Sequence, residues 1–277
     1  MSDVTARGAA ALVQLVRSGN AARQAAAAHE LGRLSGASPA NQAVVLAAGG
    51  APALVQLLHS RSDQVQAEAC YALAMLAGDA RGCAAVAAAG AIPPLGRLLH
   101  TTSSDGVLSE AATALAMLTG VSDNAASAAE VAATNCVPRA LQLLRDSSDG
   151  MQRPMALLLS GLSSCSDACA DEIAALGGVP LLVQRLGSSD ARVQTHSAHI
   201  LSSLVRTEAH AAALVESGGI PALAHLLGSI SAAAVCSAAL ALDGLMSYNG
   251  YSSAVAVAAG GCVARIVRLL RRSNEEV

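Results

Sequence analysis

The chain has 277 residues, of which 53% are hydrophobic and 13% charged, with a formal net charge of −3. A chain of this length buries a sizeable core without needing disulfides or a metal ion. All 17 basic side chains are arginine, which excludes a P-loop lysine, a kinase strand lysine and Schiff-base chemistry. Three tyrosines are the only aromatic residues, and the charge is mildly acidic, so we expect a soluble protein that does not bind nucleic acid.

Seven cysteines are scattered along the chain without a CxxC pair. Scattered cysteines on an apolar background are usually small buried hydrophobic residues, and they favour a reducing compartment. A secretory signal is not expected, because Asp3 and Arg7 precede an apolar stretch that Gln14 and Arg17 soon interrupt. We therefore expect a cytoplasmic location, with the nucleus as an alternative.

A short motif returns along the chain about every 42 residues. Its copies, in chain order, are AAALVQLV (9–16), GGAPALVQLL (49–58), GAIPPLGRLL (90–99), NCVPRALQLL (135–144), GGVPLLVQRL (177–186), GGIPALAHLL (218–227) and GCVARIVRLL (261–270). A second column, of the form x-A-L-x-x-L and its variants, has the same period and is led by His29, Tyr71, Thr113, Leu157, His199 and Leu240. Two columns with one period predict a repeat protein.

Each repeat contains three predicted helices. A short amphipathic helix such as AVVLAAG (43–49) ends at a glycine, which tolerates a positive φ. A proline such as Pro52 follows two or three positions later and suits the first turn of the second helix. A polar turn such as SRSD (60–63) then supplies the cap of a third, longest helix.

One such repeat cannot bury its own apolar faces, so neighbouring repeats must stack into a solenoid with a concave side. We expect one domain over 1–277, with five full repeats between two partial ones, at approximately 8–40, 41–80, 81–122, 123–166, 167–208, 209–249 and 250–272. About three extra residues precede Pro138. Pro154 lies within the fourth long helix, where it either causes a kink or occupies a delayed first turn.

The segment 217–242 contains no acidic or basic side chain and is long enough to span a bilayer. It also contains Gly218, Gly219 and Pro221, at a place where other repeats break. We therefore expect two buried helices joined by a turn, and no membrane insertion.

The period, the Gly-x-Pro break and the third-helix column resemble armadillo repeats over nearly the whole chain. This resemblance implies an all-α, armadillo-type right-handed α-solenoid that binds extended peptides along the third helices of its concave groove. In the nuclear-import adaptors of that family, a Trp and an Asn four residues later hold the peptide. In this chain, the positions equivalent to that Trp (the Trp places) hold the six residues that lead the second column. The positions equivalent to that Asn (the Asn places) hold Arg33, Met75, Met117, Gly161, Ser203 and Gly244. Because no Trp or Asn is present there, a nuclear-localisation-signal receptor is disfavoured.

The candidate partner-binding residues lie on these third helices. Tyr71, Met75 and Met117 predict an apolar patch that tolerates varied partners. Arginines in the groove offer bidentate hydrogen bonds to carboxylate or phosphate groups, and histidines offer pH sensitivity. The full set is His29, Arg33, Tyr71, Met75, Thr113, Met117, Arg153, Arg192, His196, His199 and Ser203. For each of them, the alternative is that the side chain faces solvent or packs locally.

Catalytic and cofactor motifs are missing from the sequence, which contains no GxSxG, HExxH, GxGxxG or paired-carboxylate pattern. His196 and His199 are spaced as two metal ligands on one helix face, but no third ligand has a determined position. We therefore expect no enzyme activity, no cofactor and no metal ion.

These patterns favour a non-catalytic protein–protein interaction scaffold. Its partner is expected to be a peptide segment with apolar anchors and some acidic or phosphorylated residues. One alternative is the substrate-binding region of a U-box ubiquitin ligase, although the chain has no U-box. Another is a self-assembling structural component, for example of an axoneme, that associates through the weakly capped motif at 9–16.

Overall fold

The structure, a computed structural model, describes residues 2–18, 20–120, 125–146 and 149–259. These residues form 17 α-helices and no strand. In chain order the helices are α1 (Ser2–Val16), α2 (Ala21–Ala37), α3 (Pro39–Ala47), α4 (Gly50–Leu57), α5 (Asp63–Leu76), α6 (Ala80–Ala88), α7 (Ile92–Thr101), α8 (Asp105–Thr119), α9 (Ala125–Ala133), α10 (Cys136–Asp146), α11 (Asp149–Cys165), α12 (Asp167–Ala175), α13 (Gly178–Arg185), α14 (Ala191–Leu204), α15 (Glu208–Glu216), α16 (Gly219–Leu226) and α17 (Ala232–Ala259).

The helices group into two compact units, residues 1–166 with α1 to α11 and residues 167–277 with α12 to α17. Within each unit, a short helix, a second short helix and a longer third helix follow one another in the predicted order. The first unit contains three such triplets after α1 and α2, and the second unit contains two. The predicted all-α, armadillo-type solenoid fold is confirmed.

The breaks between first and second helices have the predicted backbone. Gly49 has a φ of 77°, and the equivalent glycines Gly90, Gly177 and Gly218 have φ values of 75° to 76°. Asn135 takes the same place in the remaining repeat with a φ of 56°. Asparagine tolerates this left-handed region better than other non-glycine residues, so the chain turns at the same point in every described repeat.

The caps of the helices are also predictable from the polar turns. The Ser62 side chain accepts from the backbone N–H of Val65 at the start of α5, and the Asp190 carboxylate accepts from the N–H of Arg192 at the start of α14. These bonds satisfy backbone donors that a helix N-terminus leaves unpaired. These two polar turns thereby fix the residues at which α5 and α14 begin, whereas Ser104 makes no such side-chain bond at the start of α8.

The third helices lie side by side within each unit. In the first unit, α2 packs against α5, α5 against α8 and α8 against α11, and in the second unit α14 packs against α17. Leu31, Leu73 and Leu115 are fully buried at equivalent positions of α2, α5 and α8. Burying each such leucine contributes about 1.5–3 kcal/mol, so these contacts hold successive third helices in register.

Three irregularities of the predicted repeat pattern can be compared with the structure. Pro154 is the sixth residue of α11, in the helix interior rather than in a delayed first turn. The interval that contains the extra residues before Pro138 includes 121–124, which lie outside the described residues. The last helix, α17, continues to Ala259 and thus crosses the predicted repeat boundary at 249–250, while 260–277 lie outside the described residues.

The apolar segment 217–242 forms the predicted pair of helices with a turn. Its first helix, α16, buries Ile220, Leu223 and Leu226, whereas Leu240 in α17 is 53% exposed. No single described helix has both the length and the apolar character needed to cross a bilayer. Two bent pairs of short helices meet that requirement jointly by length and composition, namely Pro39–Ala47 with Gly50–Leu57 and Ala80–Ala88 with Ile92–Thr101.

Candidate functional site

The exposed sides of α2, α5 and α8 bring six of the sequence-predicted residues onto three adjacent helices. We call this surface the first-unit face, and its members are His29, Arg33, Tyr71, Met75, Thr113 and Met117. His29 and Arg33 are exposed, and the other four are half-buried. Side chains with this partial exposure are held by neighbours yet reachable by a partner.

Tyr71 holds α2 and α5 together as well as lining the face. Its ring stacks on His29, with centroids 5.4 Å apart and an interplanar angle of 20°. The ring also lies across Gly32, where an added Cβ atom would come within 2.7 Å of the Tyr71 Cε1 atom. Tyr71 thus packs against α2 through these two contacts and remains half-buried rather than fully buried.

The first-unit face carries two carboxylates that the sequence reasoning missed. Glu68 and Glu110 precede Tyr71 and Thr113 by one helical turn and occupy equivalent places in successive repeats. The Nδ1 atom of His29 donates to the Glu68 Oε2 atom at 2.9 Å, whereas Glu110 has neither a hydrogen bond nor an ion pair within the described part of the chain. The 42-residue spacing of the two glutamates is the signal that locates them.

Burial of Glu110 raises the pKa of its carboxyl group, and the nearby Glu68 charge raises it further. A half-buried carboxylate with a raised pKa is stabilised in its charged form by a cation. This part of the face is therefore electrostatically suited to a positive group.

Arg33 contributes less positive charge to the face than its sequence position indicates. Its Nη2 and Nε atoms lie 3.0 and 3.1 Å from the Glu30 Oε2 atom, one turn earlier in α2. The side chain of Arg33 is 69% exposed, so this ion pair contributes little stability and exchanges readily. Thr113 is also engaged, because its hydroxyl donates to the Ser109 carbonyl oxygen at 2.9 Å.

The two methionines of the face open into a cavity of 370 Å³ at the carboxyl-terminal ends of α2 and α5. Met75 and Met117 stand one turn after Tyr71 and Thr113, on the opposite side of those residues from the glutamates. The first-unit face thus has an acidic side at Glu68 and Glu110 and an apolar side at the methionines.

The remaining predicted residues lie on other helices. Arg153 is exposed on α11 of the first unit. Arg192, His196, His199 and Ser203 all lie on α14 of the second unit. Burial lowers the pKa of His199, and the Ser203 hydroxyl donates to the His199 carbonyl oxygen at 3.3 Å, so these two side chains are less available than their sequence positions indicate.

The second unit also exposes an apolar residue that was not among the predicted binding residues. Leu240 occupies a Trp place on α17 and is 53% exposed. The metal-site hypothesis for His196 and His199 gains no third ligand, since no group of three His, Cys, Asp or Glu side chains within the described ranges is placed to hold an ion.

Comparison with known proteins agrees with this architecture. A profile of the Armadillo/beta-catenin-like repeat family matches residues 38–77 and 79–119. No curated protein sequence matches the chain. Among solved structures, an engineered protein is 29% identical with a TM-score of 0.77, and the alignment covers 87% of this chain and 97% of that protein.

Two designed proteins share the fold at lower identity. The designed armadillo repeat protein YIII(Dq)4CqI is 21% identical with a TM-score of 0.76, over 85% of this chain and 99% of that one. The designed armadillo repeat protein YIII(Dq.V1)4CPAF, solved in complex with peptide (KR)4, is 22% identical with a TM-score of 0.73, over 85% of this chain and 98% of that one. These similarities show that the chain has the fold of armadillo-repeat solenoids, and the family profile identifies armadillo/beta-catenin-like repeats within residues 38–119.

Proposed function

We propose that the chain is a non-catalytic scaffold that binds an extended peptide segment across the first-unit face. The observation that carries this proposal is the arrangement of half-buried aromatic, thioether and carboxylate groups at equivalent places on adjacent third helices. The similarity to a designed armadillo protein solved with a bound peptide supports it. An extended peptide that crosses α5 and α8 meets a glutamate and a methionine at equivalent places of both helices.

The chemistry of the face favours a segment with basic residues here. Glu68 and Glu110 present two carboxylates, and Arg33, the arginine of this face, is already paired with Glu30. The acidic partner residues expected from the sequence would have to displace Glu30 or contact Arg153 or Arg192 elsewhere. A Lys or Arg side chain of the partner instead meets the Glu110 carboxylate, which has no ion pair within the described residues.

The test is a titration of the chain with the peptide (KR)4, in which binding is measured by isothermal titration calorimetry at low salt. We expect the double variant Glu68→Gln and Glu110→Gln to weaken binding by about 5- to 30-fold, equivalent to about 1–2 kcal/mol for charge-assisted hydrogen bonds that remain partly solvated. The matched control is the double variant Glu130→Gln and Asp146→Asn, which removes the same charge from exposed positions on α9 and α10, first-unit helices that do not form this face.

Two outcomes of this titration contradict the proposal. One is that (KR)4 does not bind the wild-type chain at low salt. The other is that the control pair weakens binding as much as the glutamates of the face, because the attraction would then come from net charge alone. The U-box and self-assembly alternatives stay predictions, and no feature of the described residues favours either.

A further inference from the structure

The cavity beside Met75 and Met117 has an apolar wall and an open rim. The two methionines and Ala74 are among its lining residues, and so are Gly36 and Gly78, which have no side chains to fill it. Its volume of 370 Å³ is within the range of pockets that bury a compact ligand. A pocket of this size has room for one side chain of a bound peptide.

The polar groups that line this cavity are already hydrogen-bonded within the protein. Ser38 Oγ and Asp79 Oδ1 accept from backbone N–H groups at 3.2 and 2.7 Å, as the caps of α3 and α6. The Gln42 Nε2 atom donates to the Leu76 carbonyl oxygen at 2.9 Å. An apolar group entering the cavity therefore displaces water without breaking these bonds.

We propose that this cavity is a pocket for an aromatic side chain of the same peptide segment whose basic residue pairs with Glu68 and Glu110. The proposal rests on the peptide-binding function argued above. Methionine sulfur makes favourable contacts with aromatic rings, and two flexible thioethers adapt to a flat ring better than branched side chains do. The two rings of this face within the described residues, His29 and Tyr71, stack on each other, so an aromatic ring beside the methionines has to come from the partner.

The geometry of an extended segment places the two residue types next to each other. Met75 lies seven residues after Glu68 in α5, about 10 Å along the helix axis. A peptide that crosses α5 between them directs successive side chains to opposite sides. A basic residue that reaches the glutamates is therefore followed or preceded directly by the residue that enters the pocket.

The probes are three synthetic octapeptides, RSRXRSRS, in which X is Phe, Leu or Ser. Binding is measured by fluorescence anisotropy of an amino-terminal dye. We expect the Phe peptide to bind about tenfold more tightly than the Ser peptide, with the Leu peptide between them, because the ring is only partly buried in an open pocket. Equal affinities for the three peptides would overturn the aromatic pocket while leaving the peptide-binding function intact.

Filling the pocket supplies the second half of the test. A Cβ atom on Gly36 would lie 3.2 Å from the Met75 Sδ atom, so the side chain of Gly36→Leu enters the cavity lining beside Met75. We expect this variant to lose the preference for Phe and to keep its affinity for the Ser peptide. The control is Gly106→Leu on α8, where an added Cβ atom meets nothing closer than Ser104 Oγ at 4.0 Å.

A pocket-enlarging variant guards against a folding defect in Gly36→Leu. Met117→Ala removes one thioether from the wall and is expected to reduce the preference for Phe without abolishing binding of the Ser peptide. Retention of the full preference by both variants would place the ring elsewhere and overturn the proposal. Failure of all three peptides to bind the wild-type chain would overturn both this proposal and the peptide-binding function.

Discussion

Replacement of Gly161 by alanine tests how closely α8 and α11 pack. An added Cβ atom there would lie 2.0 Å from the Thr119 Oγ1 atom and 3.1 Å from the Thr119 Cβ atom, well inside ordinary contact distances. Thr119 is buried, and its hydroxyl donates to the Ala116 carbonyl oxygen at 2.8 Å. Rotating the hydroxyl away leaves it unpaired at a cost of about 1–3 kcal/mol, and separating the helices costs a similar amount.

Alanine gains about 1 kcal/mol over glycine in a helix interior, which offsets part of that cost. We therefore expect Gly161→Ala to lower the free energy of unfolding of the first unit by about 1 kcal/mol. The control is Gly150→Ala in the same helix, where nothing lies within 4 Å of the added Cβ atom, so no loss is expected. The difference of about 1–2 kcal/mol corresponds to about 2–8 °C in the midpoint of thermal unfolding followed by circular dichroism.

A double variant identifies the cause of the loss. Thr119→Ala removes the Oγ1 atom that the new methyl group meets, so the combined Gly161→Ala and Thr119→Ala chain is expected to lose less than the sum of the two single changes. Equal midpoints for Gly161→Ala and Gly150→Ala would refute the close approach of α8 and α11. A strictly additive double variant would refute Thr119 as its cause.

Three further predictions follow from single groups. The pKa of Glu110 is raised in the free chain, and a bound cation lowers it, so Glu110 releases a proton when (KR)4 binds. The affinity for (KR)4 should therefore fall as the pH drops from about 7.5 to about 5. Glu110→Gln should flatten this pH dependence when the affinity is measured by calorimetry. Burial raises the pKa of Cys83 to about 11, so iodoacetamide at about pH 8 should modify the exposed Cys236 well before Cys83, as read by mass spectrometry. Gln42→Ala removes the donor to the buried Leu76 carbonyl and should cost about 1–3 kcal/mol in urea unfolding, whereas an unchanged urea midpoint would contradict that bond.

The repeat architecture was predictable because its determinants are local. Gly49 takes a positive φ, Pro52 fits the first turn of α4, and Ser62 caps α5, each through interactions within a few residues. Such local rules are readable from one repeat and are confirmed by their recurrence in the others. Asn135 shows their tolerance, since it replaces the glycine without changing the turn.

The candidate site was only partly predictable because its properties depend on contacts between helices. The sequence placed Tyr71, Met75 and Met117 on the correct helices and on the same face. It did not reveal that Arg33 pairs with Glu30, or that burial raises the pKa of Glu110. These facts depend on side-chain direction and on the spacing of adjacent third helices, which one helix pattern does not determine.

The residues at the positions that hold Trp and Asn in the nuclear-import adaptors bear on the proposed peptide binding. At the Asn place of α11, Gly161 leaves no room for a side chain because Thr119 approaches too closely. At the Asn places of α5 and α8, Met75 and Met117 supply no amide to hold a peptide backbone. Under the proposed peptide-binding function, specificity in the first unit therefore comes from the partner's side chains: a charged group at the glutamates and an apolar group between the methionines. On this proposal, the affinity depends more on the side chains that alternate along the bound segment than on hydrogen bonds to its main chain.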